Sequence, residues 1–217
     1  VEDDKVDILS ARRMLAGWTD SPFTLECASR ISEAIEFLEK GRFDVVLLDL
    51  GLPDSSGLET FAKMRAQAAH APIVVLTGHK DEALSMSALQ HGAQDYLIKG
   101  DINRDALRRC LRYAIERKQY EEVLWIKNRI IESSINPIAI TDLQGKLTYV
   151  NNSFLKLWQY ESMEDVAGRA VKEFWHKTAK TLWIIETVFS GGSWVGKVRG
   201  QRKDGGKFDL QLSAFIV

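Results

Sequence analysis

The stretch DVVLLDLGLPDSSGLE, Asp44 to Glu59, decides the fold of the first half of the chain. Its apolar run Val45-Val46-Leu47-Leu48 is continuous rather than alternating, and Ile73-Val74-Val75-Leu76 repeats the pattern. Such runs suit strands buried on both faces, as in a parallel sheet sandwiched between helices. Between them, Gly57 to Ala69 carries Leu58, Phe61, Ala62 and Arg65 at helical spacing. Working outward, the pattern predicts helices over Leu9 to Ala16, Ile31 to Glu39 and Asp81 to Gln90, a strand over Phe23 to Ala28, and a last strand at Tyr96-Leu97-Ile98. Strand then helix, five times over, predicts an α/β doubly wound domain with a five-stranded parallel sheet of flavodoxin-like type.

The 217 residues suffice for two domains of about 100 residues each. Charge is uneven: −6 over residues 1–100, +2 over 101–134 and +3 over 135–217. Nothing is basic enough to mark a nucleic-acid surface, and an acidic first half suits a cation instead. The sequence shows no apolar run of membrane-spanning length and no signal peptide. Cys27 and Cys110 are far apart and lack metal-ligand spacing, so both read as free thiols of a reducing cytoplasm.

From Asn103 to Ser133 neither Pro nor Gly interrupts the chain, which predicts one long connecting helix capped by Asp101 or Asn103. Leu107, Cys110, Leu111, Ala114, Tyr120, Leu124 and Ile131 follow a heptad loosely, with Arg117 and Glu121 interrupting it, so a coiled coil and a lone linker helix both stand. After Pro137 the texture changes. Ile138 to Asp142 and Leu147 to Val150 read as a hairpin around Gln144-Gly145, helices are expected over Ser153 to Trp158 and Lys177 to Phe189, and strands at Trp194 to Gln201 and Lys207 to Val217 flank Lys203-Asp204-Gly205-Gly206. This half is α+β with an antiparallel sheet.

In a doubly wound sheet ligands bind at the carboxyl ends of the strands. Those ends offer Asp3-Asp4, Asp49, Thr77 and Lys99. Clustered carboxylates need a cation to stay ionised, and oxygen donors with room for water suit magnesium. Asp49 then reads as a carboxylate nucleophile toward phosphorus, Lys99 as a point charge on a phosphate oxygen, and Thr77 as a hydrogen-bond donor to another.

VEDD, DVVLLDLGLPDSSGLE, VVLTG and GAQDYLIKG, in that order and spacing, resemble the response-regulator receiver domain over residues 1–113. The resemblance implies Asp49 as phosphoacceptor, Asp3 and Asp4 as the acidic pair, the Gly51 carbonyl as a metal ligand beside Asp4 and Asp49, and Thr77 with Tyr96 as a switch pair. His79, two residues after Thr77, falls where dephosphorylation can be tuned, and it reads equally as an ordinary exposed loop histidine. Two departures are Gly100, where the family usually has Pro, and a first strand reduced to Val1 and Glu2, which reads as truncation. Residues 134–217 resemble a PAS domain, on IIESSINPIAITDLQGKLTYVNNSFLKLWQY, EDVAGR and SWVGKVRGQRKDGGKFDLQLSAFIV, with a last strand that reads as incomplete. Neither cysteine lies there, which excludes a cysteine-adduct flavin; His176 is a poor haem ligand. Phe154, Trp158, Phe174, Trp175, Trp183, Phe189 and Trp194 read as core before pocket.

The expected function is two-component signalling. Asp49 takes a phosphoryl group from a histidine kinase or histidine phosphotransfer protein, and residues 103–133 relay the event to a PAS sensory or dimerisation module in a homodimer. Neither nucleic acid nor membrane is an expected partner, and no enzymatic turnover is expected beyond slow self-dephosphorylation. The alternative is the front of a sensor histidine kinase or nucleotide cyclase. A magnesium-dependent aspartyl phosphatase is disfavoured, because position 51 is Gly rather than a second aspartate.

Overall fold

The computed structural model describes residues 1–16, 23–78, 82–176 and 179–216. It divides into two compact units, 1–123 and 124–217.

In the first unit, helix α1 (Lys5–Leu15) and helix α2 (Ile31–Lys40) precede strand β1 (Val46–Asp49). A tight hairpin follows, β2 (Gly51–Leu52) with β3 (Ser55–Ser56), and leads into α3 (Gly57–Gln67). Then come β4 (Ile73–Thr77), α4 (Glu82–Gln90), β5 (Asp95–Ile98) and the long α5 (Arg104–Ser133). Strands β1, β4 and β5 are parallel neighbours in that order. The continuous apolar runs are explained by helices on both faces. Val46, Leu48, Ile73 and Val75 pack with Ile31, Ala34, Phe61, Met64 and Ala88 of α2, α3 and α4. Val45, Leu47 and Leu97 pack on the other face with Leu15 of α1 and Leu107 and Leu111 of α5. Val74 joins Cys110 and Ala114 there.

The expected five strands appear as three ladder strands plus two extended segments. The Val1 nitrogen donates to the Leu47 carbonyl, Asp49 N–H donates to the Val1 carbonyl, and Glu2 N–H donates to the Ala28 carbonyl. Val1 and Glu2 thus lie between β1 and the segment ending at Ala28. With one bond to Glu2, Phe23 to Ala28 forms no ladder, although its residues alternate outward and inward as a strand's do. A cavity of about 100 Å³ beside it is lined by Phe23, Leu25, Val45, Leu47 and Leu111, among others.

The second unit contains the end of α5, the hairpin β6 (Ala139–Thr141) with β7 (Leu147–Val150), helix α6 (Asn152–Trp158), a 3₁₀ turn at Val171–Phe174, α7 (Ala179–Phe189), and the antiparallel pair β8 (Ser193–Gln201) and β9 (Lys207–Phe215). The start expected for α7, at Lys177, lies outside the described residues. Among those residues the two hairpins form separate sheets, and a shared core of Leu147, Val150, Phe154, Trp158, Phe174, Ile184 and Val198 joins them. Gly205, at φ 85°, makes the turn between β8 and β9, as its Asp-Gly-Gly sequence predicts. At Gly200 a neighbour approaches closely instead: a Cβ there would stand 2.5 Å from the ring of Phe208, its cross-strand partner, so that ring would have to move.

Candidate functional site

The parallel register brings Asp49 at the end of β1 level with Leu76, and Thr77 level with Ile98 at the end of β5. Lys99 N–H donates to the Thr77 carbonyl, so its side chain starts from the same sheet edge. From there the Lys99 ammonium reaches three carboxylates: Asp49 Oδ2 at 2.7 Å, Glu2 Oε2 at 2.7 Å and Asp7 Oδ2 at 3.0 Å. Asp49 Oδ1 accepts the Gly51 N–H at 3.0 Å. One carboxylate oxygen from each of Glu2, Asp3 and Asp49 lies within 4.8 Å of the others.

Electrostatics separate the roles of these acids. Burial penalises the charge of Asp49, yet hydrogen bonds from Lys99 and the Gly51 amide outweigh it and hold Asp49 below the usual carboxylate range. Burial, followed by the charge of Asp49, pushes Glu2 upward despite its contact with Lys99. Burial acts to lower the pKa of Lys99, but its carboxylate partners raise it well above a normal lysine. Asp49 therefore stays ionised beside a fixed cation.

The structure corrects the acidic pair expected from the sequence. Asp4 does not join the cluster. Its carboxylate accepts the N–H groups of Val6 and Asp7 at 2.7 and 3.3 Å and caps α1. Glu2 takes its place beside Asp3, with only 6% of its surface exposed. The cause is the start of α1 at Lys5, four residues before the sequence pattern indicated, which turns the residue before it into a cap. Asp7 was also missed, because a single acid in a polar first turn reads as an ordinary helix residue. Thr77 is buried and its hydroxyl donates to the Gly78 carbonyl at 3.3 Å. Tyr96 is half-buried against the α2–α4 side of the core. His79 lies outside the described residues.

Farther from the edge, the Cys110 thiol on α5 donates to Asp95 Oδ2 of β5 at 3.3 Å, and burial followed by the Asp95 charge raises its pKa far above a free thiol. Both cysteines are free. Asn103 Oδ1 accepts the Ala106 N–H, so Asn103 caps α5 as expected.

In the second unit the aromatic set divides. Phe154 stacks on Trp158 at 4.2 Å and meets Phe174 edge-on at 5.6 Å, and all three are buried with Trp175. Trp158 Nε1 donates to the Phe174 carbonyl at 2.9 Å. Trp183 is 55% exposed and belongs to the surface. The polar centre of this unit is Asn151, which is fully buried. Its Oδ1 accepts the Ile138 and Phe154 N–H groups, and its Nδ2 donates to the carbonyls of Ile131 and Asn136. Nearby, Glu132 accepts the Tyr149 hydroxyl and the Asn152 N–H. The last turn of α5 is thereby tied to β7, to Asn151 and to the start of α6.

A doubly wound sheet with an aspartate, a lysine and an acidic pair at its carboxyl edge defines a receiver. Comparison with known proteins agrees: residues 1–112 match the response regulator receiver domain, and the chain belongs to that family. Residues 135–217 match a PAS domain. Among relatives, the alginate biosynthesis transcriptional regulatory protein AlgB of Pseudomonas syringae pv. tomato is 27% identical over 188 residues, covering 83% of this chain and 41% of the relative. AlgB of Pseudomonas putida is 31% identical over 192 residues, covering 85% of this chain and 42% of the relative. The chain thus spans about two fifths of the length of these regulators. Among solved structures, the signal receiver domain of an HD domain-containing protein from Pseudomonas fluorescens Pf-5 is 25% identical with a TM-score of 0.50, covering 56% of this chain and 87% of that one. The chain thus carries a response-regulator receiver domain followed by a PAS domain. No helix among the described residues is long and apolar enough to cross a membrane.

Proposed function

We propose that Asp49 accepts a phosphoryl group from the phosphohistidine of a cytoplasmic histidine kinase or histidine phosphotransfer protein, and that α5 relays the event to the PAS module. The observation that carries this reading is the 2.7 Å contact between Asp49 and Lys99, with Glu2 and Asp3 beside it. An oxygen of the ionised Asp49 attacks phosphorus. An O–P bond forms, the P–N bond of the donor breaks, and the imidazole keeps the electron pair and takes up a proton. Lys99 turns an N–H to a phosphoryl oxygen as a compact point charge. Thr77 exchanges the Gly78 carbonyl for another phosphoryl oxygen, and Tyr96 moves into the space the hydroxyl leaves.

The donor set is all oxygen, rich in carboxylate and open to water through the exposed Asp3, which fits a hard divalent cation. Glu2, Asp3, Asp49 and the Gly51 carbonyl would hold magnesium, which when bound neutralises charge on the phosphoryl group.

For the relay, α5 is fastened at both ends. Leu107, Cys110, Leu111 and Ala114 are buried against the receiver sheet, and Ile131 and Glu132 are bonded within the second unit. Tyr113, Tyr120 and Leu124 are exposed along it, and a second copy of the chain pairing there supplies the homodimer. Turnover is limited to slow self-dephosphorylation. The relatives' names favour a transcriptional output in the whole protein over a kinase or cyclase output.

Incubation with acetyl phosphate and magnesium should add one phosphoryl group to the intact chain, readable as a mass shift that hydroxylamine reverses. Asp49→Asn should show none. Equal incorporation by that variant would sink the assignment.

A further inference from the structure

The Lys99 ammonium is crowded by three carboxylates, with an oxygen of Asp49, Glu2 and Asp7 each within 3.0 Å, so an incoming phosphoryl oxygen meets an ammonium already surrounded by anions. The new anion competes with these three for the ammonium, and the weakest-held of them gives way first. Glu2 and Asp49 are held at 2.7 Å with side chains 8% and 15% exposed, whereas Asp7 sits at 3.0 Å and is 37% exposed. The longest contact, made by the acid that water can most readily take over, is the one to break. The geometry points to Asp7 as a positioning residue that competes with the phosphoryl group for Lys99 and so restrains phosphorylation of Asp49.

Asp7 lies in the first turn of α1, and the Asp4 cap holds that turn through the Asp7 N–H. Its carboxylate is thus presented to Lys99 by a helix start and not by a loose side chain. In the resting protein Asp7 completes the shell of Lys99. When the phosphoryl group arrives, one N–H swings to a phosphoryl oxygen and Asp7 is rehydrated. No covalent step is added.

The inference rests on Asp49 as phosphoacceptor. Its test compares initial rates of phosphoryl incorporation, by intact mass, for the full chain and for Asp7→Ala and Asp7→Glu, with acetyl phosphate and with the less charged phosphoramidate. Asp7→Ala should be about threefold to fivefold faster, the range that a half-exposed ion pair supports. The gain should be the same for both donors, because it arises at Lys99, and Asp7→Glu should return the rate toward that of the parent. An unchanged rate overturns the inference. A gain confined to the dianionic donor also overturns it, since that is long-range repulsion, and so does a Glu variant as fast as the Ala variant. If the parent takes no phosphoryl group at all, the proposed function fails and takes this inference with it. A parent that is modified while Asp7→Ala changes nothing fails the inference alone.

Discussion

At the carboxyl edge of the receiver sheet three carboxylates compete for one ammonium, whereas at the entry of the PAS unit Asn151 matches two donors with two acceptors and leaves nothing over. Both regions use polar side chains in partly or fully dry surroundings. The first keeps an imbalance that a new anion can resolve, with Asp49 held low and Glu2 pushed high. The second is closed: its hydrogen bonds fix where α5 ends and where α6 begins. A switch needs the first kind of site and a lever needs the second, because charge that is fully satisfied has no reason to rearrange.

The contrast breaks most visibly at Asn151. Asn151→Ala strands the Ile138 and Phe154 N–H groups and the Ile131 and Asn136 carbonyls, four groups that turn toward a side chain that is itself fully buried. The expected loss is about 3 kcal/mol or more in the urea transition of the PAS unit. Receiver phosphorylation by acetyl phosphate should be unmoved. A loss well under about 1 kcal/mol would mean that the network is not closed.

Lys99→Ala tests the opposite region. It should cost the receiver about 1–2 kcal/mol at neutral pH, less than a fully buried pair would, because the site is partly open. The pH dependence carries the sharper signature. In the parent, the share from Asp49 is present above its ordinary pKa of 3.8 and is lost as pH falls through its lowered value. The share from Glu2 runs the other way, present below 4.5 and lost as pH rises through its raised value. These tilts oppose each other, so the acid limb should be shallow. Without Lys99 both carboxylates lose their counter-charge, and stability should rise on acidification from neutral pH. Thermal melts across that range should show it, and a variant whose stability falls instead would contradict the charge assignment.

The smallest effect is expected at Tyr149. Burial, then its bond to Glu132, pushes its hydroxyl up to about 12 from 10.0. That contribution is present below 10 and fades as pH rises toward 12. Because the residue is only partly buried and the bond is a single one, Tyr149→Phe should change the alkaline limb by well under about 1 kcal/mol.

Much of this was legible before any coordinates. Asp49, Thr77 and Lys99 each follow a strand-like apolar run, so the periodic signal that predicts the sheet also places these three side chains at its edge. The reach of α5 was legible from the absence of Pro and Gly and from Asn103 as its cap. The acidic pair was not, because Val1 alone gives no alternation from which to set the facing of residues 2–4. Backbone bonds to Leu47 and Ala28 set it instead, and the early start of α1 claimed Asp4. Asn151 was hidden for a different reason: an asparagine before a helix reads as a cap, which it is, while its bonds to Ile131 and Asn136 depend on tertiary closure.

The central claim is that phosphoryl transfer ends on Asp49, and borohydride trapping tests it most directly. An aspartyl phosphate is an acyl phosphate, which borohydride reduces to the alcohol, so peptide sequencing by mass spectrometry reads the site as homoserine. After acetyl phosphate and magnesium, homoserine should appear at position 49 alone. Its appearance at Asp3, Asp7 or any other position, or its absence from a chain that carries a phosphoryl group, would contradict the account.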